Sequence, residues 1–378
     1  ARRSSSPWSA AGGSRNCERG TVTMTRIELT RSPGRTAVRL TRPAVSGILR
    51  PRVALVCLGL AALTFLTFCL AIGTGDYYVP LWDVVPALWG SGDMATLFAV
   101  RELRLPRALA GVLTGAAFGM SGALFQTVTR NPLASPDMLG ITQGAGTAVV
   151  AGIVLGVGAG LGTQGLGLTG ALAAGLLIYA LAWRRGTTGY RIVLVGIGVS
   201  WMCVSATFYL LSRAEIYQAQ QAVGWLVGNL NNRGWEHVRP LALALAVLAP
   251  TALLLTRLLR TLNLGDDVAG GLGTPVQRTR MAALLCGAAL AAFATAAAGP
   301  ILFVALAAPQ IARRLAAAPW PPLLASALTG STLVLVSDLI AQRAVSDLML
   351  PVGVVTGVLG APFLLWQLAQ ANKAGTGG

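Results

Sequence analysis

The chain has 378 residues, of which 54% are hydrophobic and only 11% are charged. A water-soluble domain carries roughly a quarter charged residues, so this composition excludes an ordinary soluble protein and indicates one embedded in lipid. The formal net charge of +16 is typical of nucleic-acid binders. The positions of the basic residues fit a membrane topology instead, and we expect no nucleic-acid partner.

The first 52 residues are rich in Arg, Ser, Gly and Pro and show no apolar periodicity. Eleven of them are arginines. A segment of this kind cannot bury enough apolar surface to fold by itself. We therefore predict a disordered basic cytoplasmic tail at residues 1–52. Because Met24 followed by Thr25 fits a native start, we expect the residues before Met24 to be partly non-native.

Apolar runs joined by short polar loops occupy residues 53–371. A helix needs about 20 apolar residues to cross a bilayer, so the sequence predicts an all-α membrane protein with about ten transmembrane helices in a compact bundle. The predicted spans are 53–72, 104–127, 136–156, 166–184, 190–211, 238–256, 279–298, 300–315, 322–342 and 351–370. Residues 372–378 form a short C-terminal tail in this interpretation.

The distribution of basic residues orients the predicted spans. With the tail in the cytoplasm, 22 of the 29 Lys and Arg residues lie on the cytoplasmic side. The others, predicted to lie outside, are Arg101, Arg104, Arg107, Arg213, Arg233, Arg239 and Arg343. Positive residues are enriched in cytoplasmic loops, so we predict a multi-pass membrane protein with both termini in the cytoplasm.

Small residues recur within the predicted spans. On the second span, Gly111, Gly115, Gly119 and Gly122 are spaced three or four residues apart. A face of this kind lets helices approach one another closely in lipid. We expect close helix packing to be the role of these glycines.

Several kinds of catalytic site are missing from the sequence. The only lysine is Lys373, followed by Ala374, whereas a P-loop needs a lysine directly before Ser or Thr. The five cysteines lack C-x-x-C pairing and His237 is the only histidine, so we predict no metal site and no cofactor. Asp338 is the main acid at membrane depth and has no second acid nearby in sequence, which argues against a membrane enzyme.

Residues 104–146 read RLPRALAGVLTGAAFGMSGALFQTVTRNPLASPDMLGITQGAG. This block resembles the signature of the iron-siderophore and vitamin B12 importer permeases, the type II class of ATP-binding-cassette (ABC) importers. Further blocks resemble the later motifs of that family in the same order. They are 194–198 (LVGIG), 225–228 (WLVG), 262–273 (LNLGDDVAGGLG), 299–314 (GPILFVALAAPQIARR) and 350–363 (LPVGVVTGVLGAPF). The resemblance covers residues 53–371 and identifies them as a transmembrane permease domain.

The resemblance implies a transport subunit of the bacterial cytoplasmic membrane that is not itself an enzyme. Its implied partners are a second permease, identical or paralogous, two ABC ATPase subunits, an extracytoplasmic substrate-binding protein and membrane lipid. The implied cargo is a ferric siderophore or related metal chelate, with cobalamin or haem as alternatives. A secondary transporter working without an ATPase is the rival interpretation, and it would need coupling acids within the membrane.

Three arginines are candidates for docking the substrate-binding protein. Arg104 and Arg107 flank Pro106 at the external start of the second span, where they are expected to be exposed. The resemblance implies that they receive acidic residues of the binding protein, since Arg–carboxylate pairs suit reversible docking. Arg343, near the end of the ninth span, is the third candidate. Anchoring to lipid headgroups is the alternative role of such arginines.

The block at 262–273 is too short and polar to span a membrane. It predicts a short amphipathic helix ended by Gly270 and Gly271, which would adopt positive φ there. The resemblance implies that this segment couples the permease to the ATPase, although an ordinary solvated loop is the alternative. The candidate coupling residues are Leu264, Gly265, Asp266, Asp267, Ala269, Gly270, Gly271, Leu272 and Gly273.

A proline-rich turn follows the second span. Because prolines break the helix and fix the chain direction, we predict a rigid reversal with a structural role. Its residues are Asn131, Pro132, Leu133, Pro136 and Gly140.

Two positions depart from the family pattern. Gln310 stands where the family usually has a histidine, and it cannot titrate near neutral pH. Four residues after Asp338 the family has an arginine, whereas this chain has Gln342 followed by Arg343. A shift of one residue rotates a helical side chain by about 100°, which puts the orientation of Arg343 in question.

Overall fold

The computed structural model describes residues 27–32, 35–40, 45–49, 51–74, 86–87, 89–91, 93–182, 189–344 and 350–375. The chain divides into two compact units, Ala1–Pro51 and Arg52–Gly378. The residues before Met24, for which we predicted a partly non-native origin, lie outside the described part of the chain.

The first unit contains a three-stranded antiparallel sheet in the order β1 (Ile27–Ser32), β2 (Arg35–Leu40) and β3 (Val45–Leu49). The structure differs here from the predicted disordered tail. The register pairs Ile27 with Leu40 and Leu29 with Val38. Each apolar run is too short to be conspicuous in so basic a segment.

The second unit is a bundle of helices in its described residues. A π-helical turn, Ala99–Arg104, joins α2 to α3, and a 3-10 turn, Ala159–Leu161, precedes α5. The helices are α1 (Pro51–Gly73), α2 (Met94–Phe98), α3 (Leu105–Thr129), α4 (Ile141–Leu155), α5 (Gly162–Ala182), α6 (Gly189–Ser212), α7 (Ile216–Leu226), α8 (Trp235–Leu262), α9 (Asp266–Gly271), α10 (Val276–Ala298), α11 (Val304–Leu315), α12 (Leu323–Arg343) and α13 (Val352–Gly375).

Each of the ten predicted spans overlaps one of these helices, which confirms a helical membrane bundle. Seven helical segments of the described chain are long and apolar enough to cross a bilayer. They are Pro51–Gly73, Met94–Thr129, Gly162–Ala182, Arg191–Ser212, Trp235–Leu262, Val276–Ala298 and Leu323–Arg343. Helices α4 and α13 contribute shorter apolar stretches and α11 has only 12 residues, so ten crossings and cytoplasmic termini stay predictions.

An additional helix, α7, and the end of α13 differ from the prediction. Helix α7 was not expected, because IYQAQQAVGWL carries too many polar residues for a span. It begins with a reciprocal cap in which Glu215 and Gln218 each bond the other's backbone, a pattern that the sequence E-x-x-Q could have indicated. Helix α13 continues to Gly375 and so extends into the predicted C-terminal tail.

Helix α3 lies at the centre of the bundle, and its glycines permit the close packing that the sequence predicted. A Cβ added to Gly115 would lie 2.4 Å from the carbonyl oxygen of Gly330 on α12. One added to Gly119 would lie 2.2 Å from the carbonyl oxygen of Ser326. At Gly122 the corresponding distance, to the carbonyl oxygen of Ala305 on α11, is 1.6 Å. These contacts are between backbones, so no side chain can be accommodated there.

Candidate functional site

Two groups of interacting charged side chains lie near the two ends of α3, which we call the Arg107 end and the Arg130 end. At the Arg107 end, Arg107 donates Nε to Oδ2 of Asp338 at 3.1 Å and Nη2 to Oδ1 at 2.8 Å. The side chain of Asp338 is 1% exposed and that of Arg107 18%. A buried carboxylate is tolerated when it is paired and hydrogen-bonded, and this two-pronged contact ties α3 to α12.

Gln342 explains one departure from the family pattern. Its Nε2 donates to Oδ2 of Asp338 at 2.8 Å, one turn along α12. The amide therefore satisfies the same carboxylate that Arg107 binds. Arg343, the next residue, is exposed at the end of α12, because one residue turns a helical side chain by about 100°.

The three predicted docking arginines are therefore not equivalent. Arg107 is an internal ion-pair partner in this structure, rather than the exposed cation that the sequence indicated. Arg104 is half-buried and its Nη1 donates to the carbonyl oxygen of Ile72 at 3.0 Å, which satisfies an acceptor in the last turn of α1. Arg343 presents the most accessible charge of the three.

The π-helical turn before α3 receives support from α8. The Nε1 of Trp235 donates to the carbonyl oxygen of Arg101 at 3.2 Å, as expected where a π-helical turn interrupts the regular helical bonds. Nearby, His237 contacts Glu236 at 2.9 Å and Arg233 at 3.0 Å. Among the residues that the structure describes, no group of three or more His, Cys, Asp or Glu side chains could hold a metal ion.

At the Arg130 end, one carboxylate joins three segments. Arg130, in the left-handed conformation at φ 52° just after α3, donates Nη2 to Oδ1 of Asp266 at 2.8 Å and also to the carbonyl oxygen of Leu262. Arg280 of α10 donates Nη2 to both oxygens of Asp266, at 3.1 and 2.8 Å. We call Arg130, Asp266 and Arg280 the α9 clamp, since Asp266 is the first residue of α9.

The α9 clamp fixes the charge of its carboxylate. The hydrogen bond from Arg280 is the main cause that lowers the pKa of Asp266 below its ordinary value, with the charges of Arg280 and Arg130 acting in the same direction. Sequence reasoning singled out Asp266 but missed both arginines as its partners. The available signal was their position, since Arg130 directly follows α3 and Arg280 lies in the first turns of α10, the helix that follows the acidic segment.

The predicted coupling segment forms the short helix that the sequence indicated. Ala269 is fully buried, whereas Leu264, Val268 and Leu272 are 61%, 51% and 63% exposed. Val268 lies within α9, Leu264 precedes its N-terminal cap and Leu272 is its C-terminal cap, so the segment exposes apolar side chains along its length. We call these three residues the α9 stripe.

The glycines of this segment act differently from the prediction. Gly270 and Gly271 lie within α9 and are not among the residues with positive φ. The positive angles are at Gly265, with φ 110°, and Gly273, with φ 79°, which begin and end the helical segment. Leu272 is the C-terminal cap, so the helix runs through the paired glycines before the chain turns.

Several contacts hold the proline-rich turn between α3 and α4, and its rigidity and structural role stay predictions. Asn131 Oδ1 accepts the backbone N–H of Leu133 at 3.0 Å, Pro136 is buried, and Gly140 begins α4 with φ 84°. The carbonyl oxygen of Pro132 accepts a hydrogen bond from Nε2 of Gln310 at 3.4 Å.

Gln310 belongs to a chain of three buried glutamines near the Arg130 end. Its Nε2 donates to Oε1 of Gln126 on α3, and its Oε1 accepts from Nε2 of Gln367 on α13 at 3.2 Å. Gln126 in turn donates to the carbonyl oxygen of Leu306 at 3.1 Å. Gln310, which stands where the family usually has a histidine, thus has one amide partner on α3 and one on α13. These hydrogen bonds link α3, α11 and α13.

A bundle of apolar helices with buried polar contacts is the architecture of a helical membrane protein. The FecCD transport family model matches residues 63–370. The chain belongs to this family, whose members include the permeases of iron-siderophore and vitamin B12 ABC importers.

Individual relatives cover most of the chain. It is 39% identical over 323 residues to the ferric enterobactin transport system permease protein FepG of Escherichia coli, covering 85% of this chain and 98% of FepG. It is 40% identical over 304 residues to the achromobactin transport system permease protein CbrC of Dickeya dadantii, covering 79% and 87%. The vitamin B12 import system permease protein BtuC of Yersinia enterocolitica is 33% identical, with 83% and 92% covered.

The fold also has a solved counterpart. A metal-chelate type ABC transporter in an inward-facing conformation matches with a TM-score of 0.72 at 23% identity, covering 84% of this chain and 99% of that one. At this identity the match concerns the fold alone.

Proposed function

We propose that this chain is the permease subunit of an ATP-driven importer that carries a ferric siderophore or related metal chelate across the bacterial cytoplasmic membrane. The observation that carries the proposal is the α9 stripe, three exposed apolar residues in and beside a short helix that the α9 clamp holds at the Arg130 end of the bundle. Exposed apolar residues at one spot on a polar surface mark a site of protein contact.

The α9 clamp gives this contact a mechanical consequence. Arg130 directly follows α3 and Arg280 lies in the first turns of α10, so a force on α9 reaches two helices of the bundle core through Asp266. Two ABC ATPases docking on two permease copies would displace both α9 segments when they close on ATP. The second permease is either another copy of this chain or a paralogue.

Docking of the extracytoplasmic binding protein belongs to the same proposal. Arg343 offers an exposed cation to the binding protein. Arg104 is half-buried and contributes a second positive charge to the proposed docking surface. Arg107 supports this surface through its ion pair with Asp338. Charge reversal in Arg343→Glu should weaken affinity for the binding protein at low salt at least ten-fold, since like charges then face one another. Unchanged affinity would remove Arg343 from the docking surface.

The named relatives support the substrate class. FepG and CbrC are named for ferric enterobactin and achromobactin, and other relatives are named for iron(III) hydroxamate and iron(III) citrate. BtuC is named for vitamin B12, so cobalamin, like haem, is the alternative cargo.

Ion-coupled secondary transport receives less support. It requires an intramembrane acid that is free to bind and release an ion. Asp338 is occupied by Arg107 and Gln342. Asp137 accepts a hydrogen bond from the Thr142 hydroxyl at 2.9 Å and lies beside the proline-rich turn rather than within a helix.

The proposal is tested in proteoliposomes that contain the permease, its ABC ATPase and its binding protein. The panel of labelled compounds contains a ferric catecholate siderophore, a ferric hydroxamate siderophore, ferric citrate, cobalamin and haem. We expect ATP-dependent uptake of a ferric siderophore from this panel. The matched control carries an ATPase whose P-loop lysine is replaced by alanine, which should abolish uptake. Uptake driven by an ion gradient without ATP would contradict the proposal and favour a secondary transporter.

A further inference from the structure

An apolar cavity of about 330 Å³ lies between α3, α4, α5, α6 and α10. Its inner wall is formed by buried residues such as Phe125, Ile141 and Ile192, each 2% to 6% exposed. Its rim includes Leu176 of α5 and Leu285 of α10, which are 66% and 52% exposed. The cavity therefore opens between α5 and α10 on the outer surface of the bundle.

The cavity lies toward the Arg130 end. Ile141 is the first residue of α4 and Phe125 is in the last turns of α3. Tyr179 is near the end of α5, and Met281 is near the start of α10. Because successive helices reverse direction, these positions all lie at one level of the bundle, and our orientation places that level in the cytoplasmic leaflet.

The depth of the cavity fits one leaflet. On α5 it is lined from Ala171 to Tyr179, and on α10 from Met281 to Ala289. At 1.5 Å per residue each stretch is about 12 Å long. Half of a hydrocarbon core of roughly 30 Å is about 15 Å, so the cavity spans most of the leaflet in which it opens.

Two arginines flank the cavity at its polar end. Arg191 directly precedes the lining residue Ile192, and Arg278 lies three residues before Met281 on the same side of α10. Both side chains are exposed. An apolar slot along the bilayer normal with basic residues at its headgroup end has the charge and polarity of a phospholipid site rather than of a soluble ligand.

We propose that this cavity binds one acyl chain of an anionic phospholipid of the cytoplasmic leaflet, with Arg191 and Arg278 contacting the headgroup phosphate. The bound lipid fills the gap between α5 and α10 and completes the packing of α10, the helix that carries Arg280 of the α9 clamp. A lipid bound in the cavity would thereby restrict the movement of α10, the helix to which the α9 clamp is fixed.

Gly175 offers a variant that tests the proposal with little risk to folding. It lines the cavity, and a Cβ built on it meets no atom within 4 Å. Gly175→Leu should fill the slot from the wall of α5. Gly59 of α1 also has open space around a built Cβ and is exposed, so Gly59→Leu is the matched control outside the cavity.

The measurement is native mass spectrometry of the full chain released from nanodiscs that contain equal amounts of phosphatidylglycerol and phosphatidylcholine. We expect the wild type and Gly59→Leu to retain phosphatidylglycerol, and Gly175→Leu to retain at least ten-fold less. Replacing Arg191 and Arg278 by Gln should lower the preference for phosphatidylglycerol about five-fold for each arginine.

Three results would overturn the proposal. The first is equal retention of both lipids by the wild type. The second is equal retention of phosphatidylglycerol by Gly175→Leu and Gly59→Leu. The third is a Gly175→Leu variant that alters self-association instead of lipid retention, which would assign the cavity to a second copy of the chain. If Gly175→Leu fails to fold, a phosphatidylglycerol with a photoreactive acyl chain must label α5 or α10 of the wild type. None of these assays needs ATPase or chelate, so their failure is separate from failure of the proposed transport function.

Discussion

The ion pair between Arg107 and Asp338 allows a quantitative test of how the bundle is held together. Asp338 is 1% exposed and accepts three hydrogen bonds, two from Arg107 and one from Gln342. Asp338→Leu removes all three and leaves the guanidinium of Arg107 without its carboxylate. Breaking a buried pair on one side costs about 3–5 kcal/mol. Since Arg107 retains 18% exposure and water can partly hydrate it, we expect about 3 kcal/mol.

A double variant separates the ion pair from simple packing. Arg107→Met combined with Asp338→Leu removes both charges, and replacing a buried pair by apolar residues is often close to neutral. We therefore expect the double variant to recover most of the stability that Asp338→Leu loses. Asp267→Leu, which removes an exposed acid of α9, is the control and should change stability by less than about 0.5 kcal/mol.

Thermal unfolding in detergent measures the effect through the chain's own cysteines. Cys57, Cys69, Cys203 and Cys286 are free and buried or half-buried, so a thiol-reactive fluorophore reports their exposure as the bundle opens. The expected order of melting temperatures is wild type, double variant, then Asp338→Leu. If the double variant melts as low as Asp338→Leu, the loss comes from packing and the reasoning about the buried charge fails.

Three further predictions concern other parts of the bundle. Asp266→Asn should lower the chelate transported per ATP hydrolysed several-fold. Because the pKa of Asp266 is lowered in the folded protein, its carboxylate is fully charged above the ordinary carboxyl pKa and loses its charge only as the pH falls through the lowered value. Wild-type coupling measured in proteoliposomes should therefore be constant between about pH 6 and 8. Gly122→Ala should prevent folding, seen as loss of membrane-inserted protein, because the new Cβ would lie 1.6 Å from a carbonyl oxygen; normal yield and melting would contradict the packing account. Gln310→Leu should lower stability by about 1–3 kcal/mol in the thiol assay by leaving buried amides unsatisfied, whereas an unchanged melting temperature would show that the glutamine chain is not stabilising.

Much of the architecture could be predicted because it depends on local pattern. Apolar runs of sufficient length predict helices in lipid, and the spacing of Gly115, Gly119 and Gly122 predicts a closely packed face. The segment around Asp266 was recognisable as a short helix because it is polar, short and bounded by glycines. Each of these signals lies within about 20 residues of sequence.

The parts that could not be predicted depend on contacts between distant residues. Arg107 and Asp338 are 231 positions apart, and Gln126 and Gln310 are 184 apart, so no local pattern links them. The external position of Arg107 suggested an exposed cation, whereas the buried acid of a neighbouring helix competes for it more strongly than solvent does. A single sequence provides no signal for that pairing.

The most direct test of the central claim is a charge placed in the α9 stripe. Val268→Glu introduces a carboxylate into the exposed apolar surface, and Val268→Ile is the control that keeps it apolar. In nanodiscs with the ABC ATPase, the wild type and Val268→Ile should bind the ATPase and support ATP-driven chelate uptake. Val268→Glu should lose both while keeping its melting temperature, because Val268 is 51% exposed. Full ATPase binding and ATP-driven uptake by Val268→Glu would contradict the account.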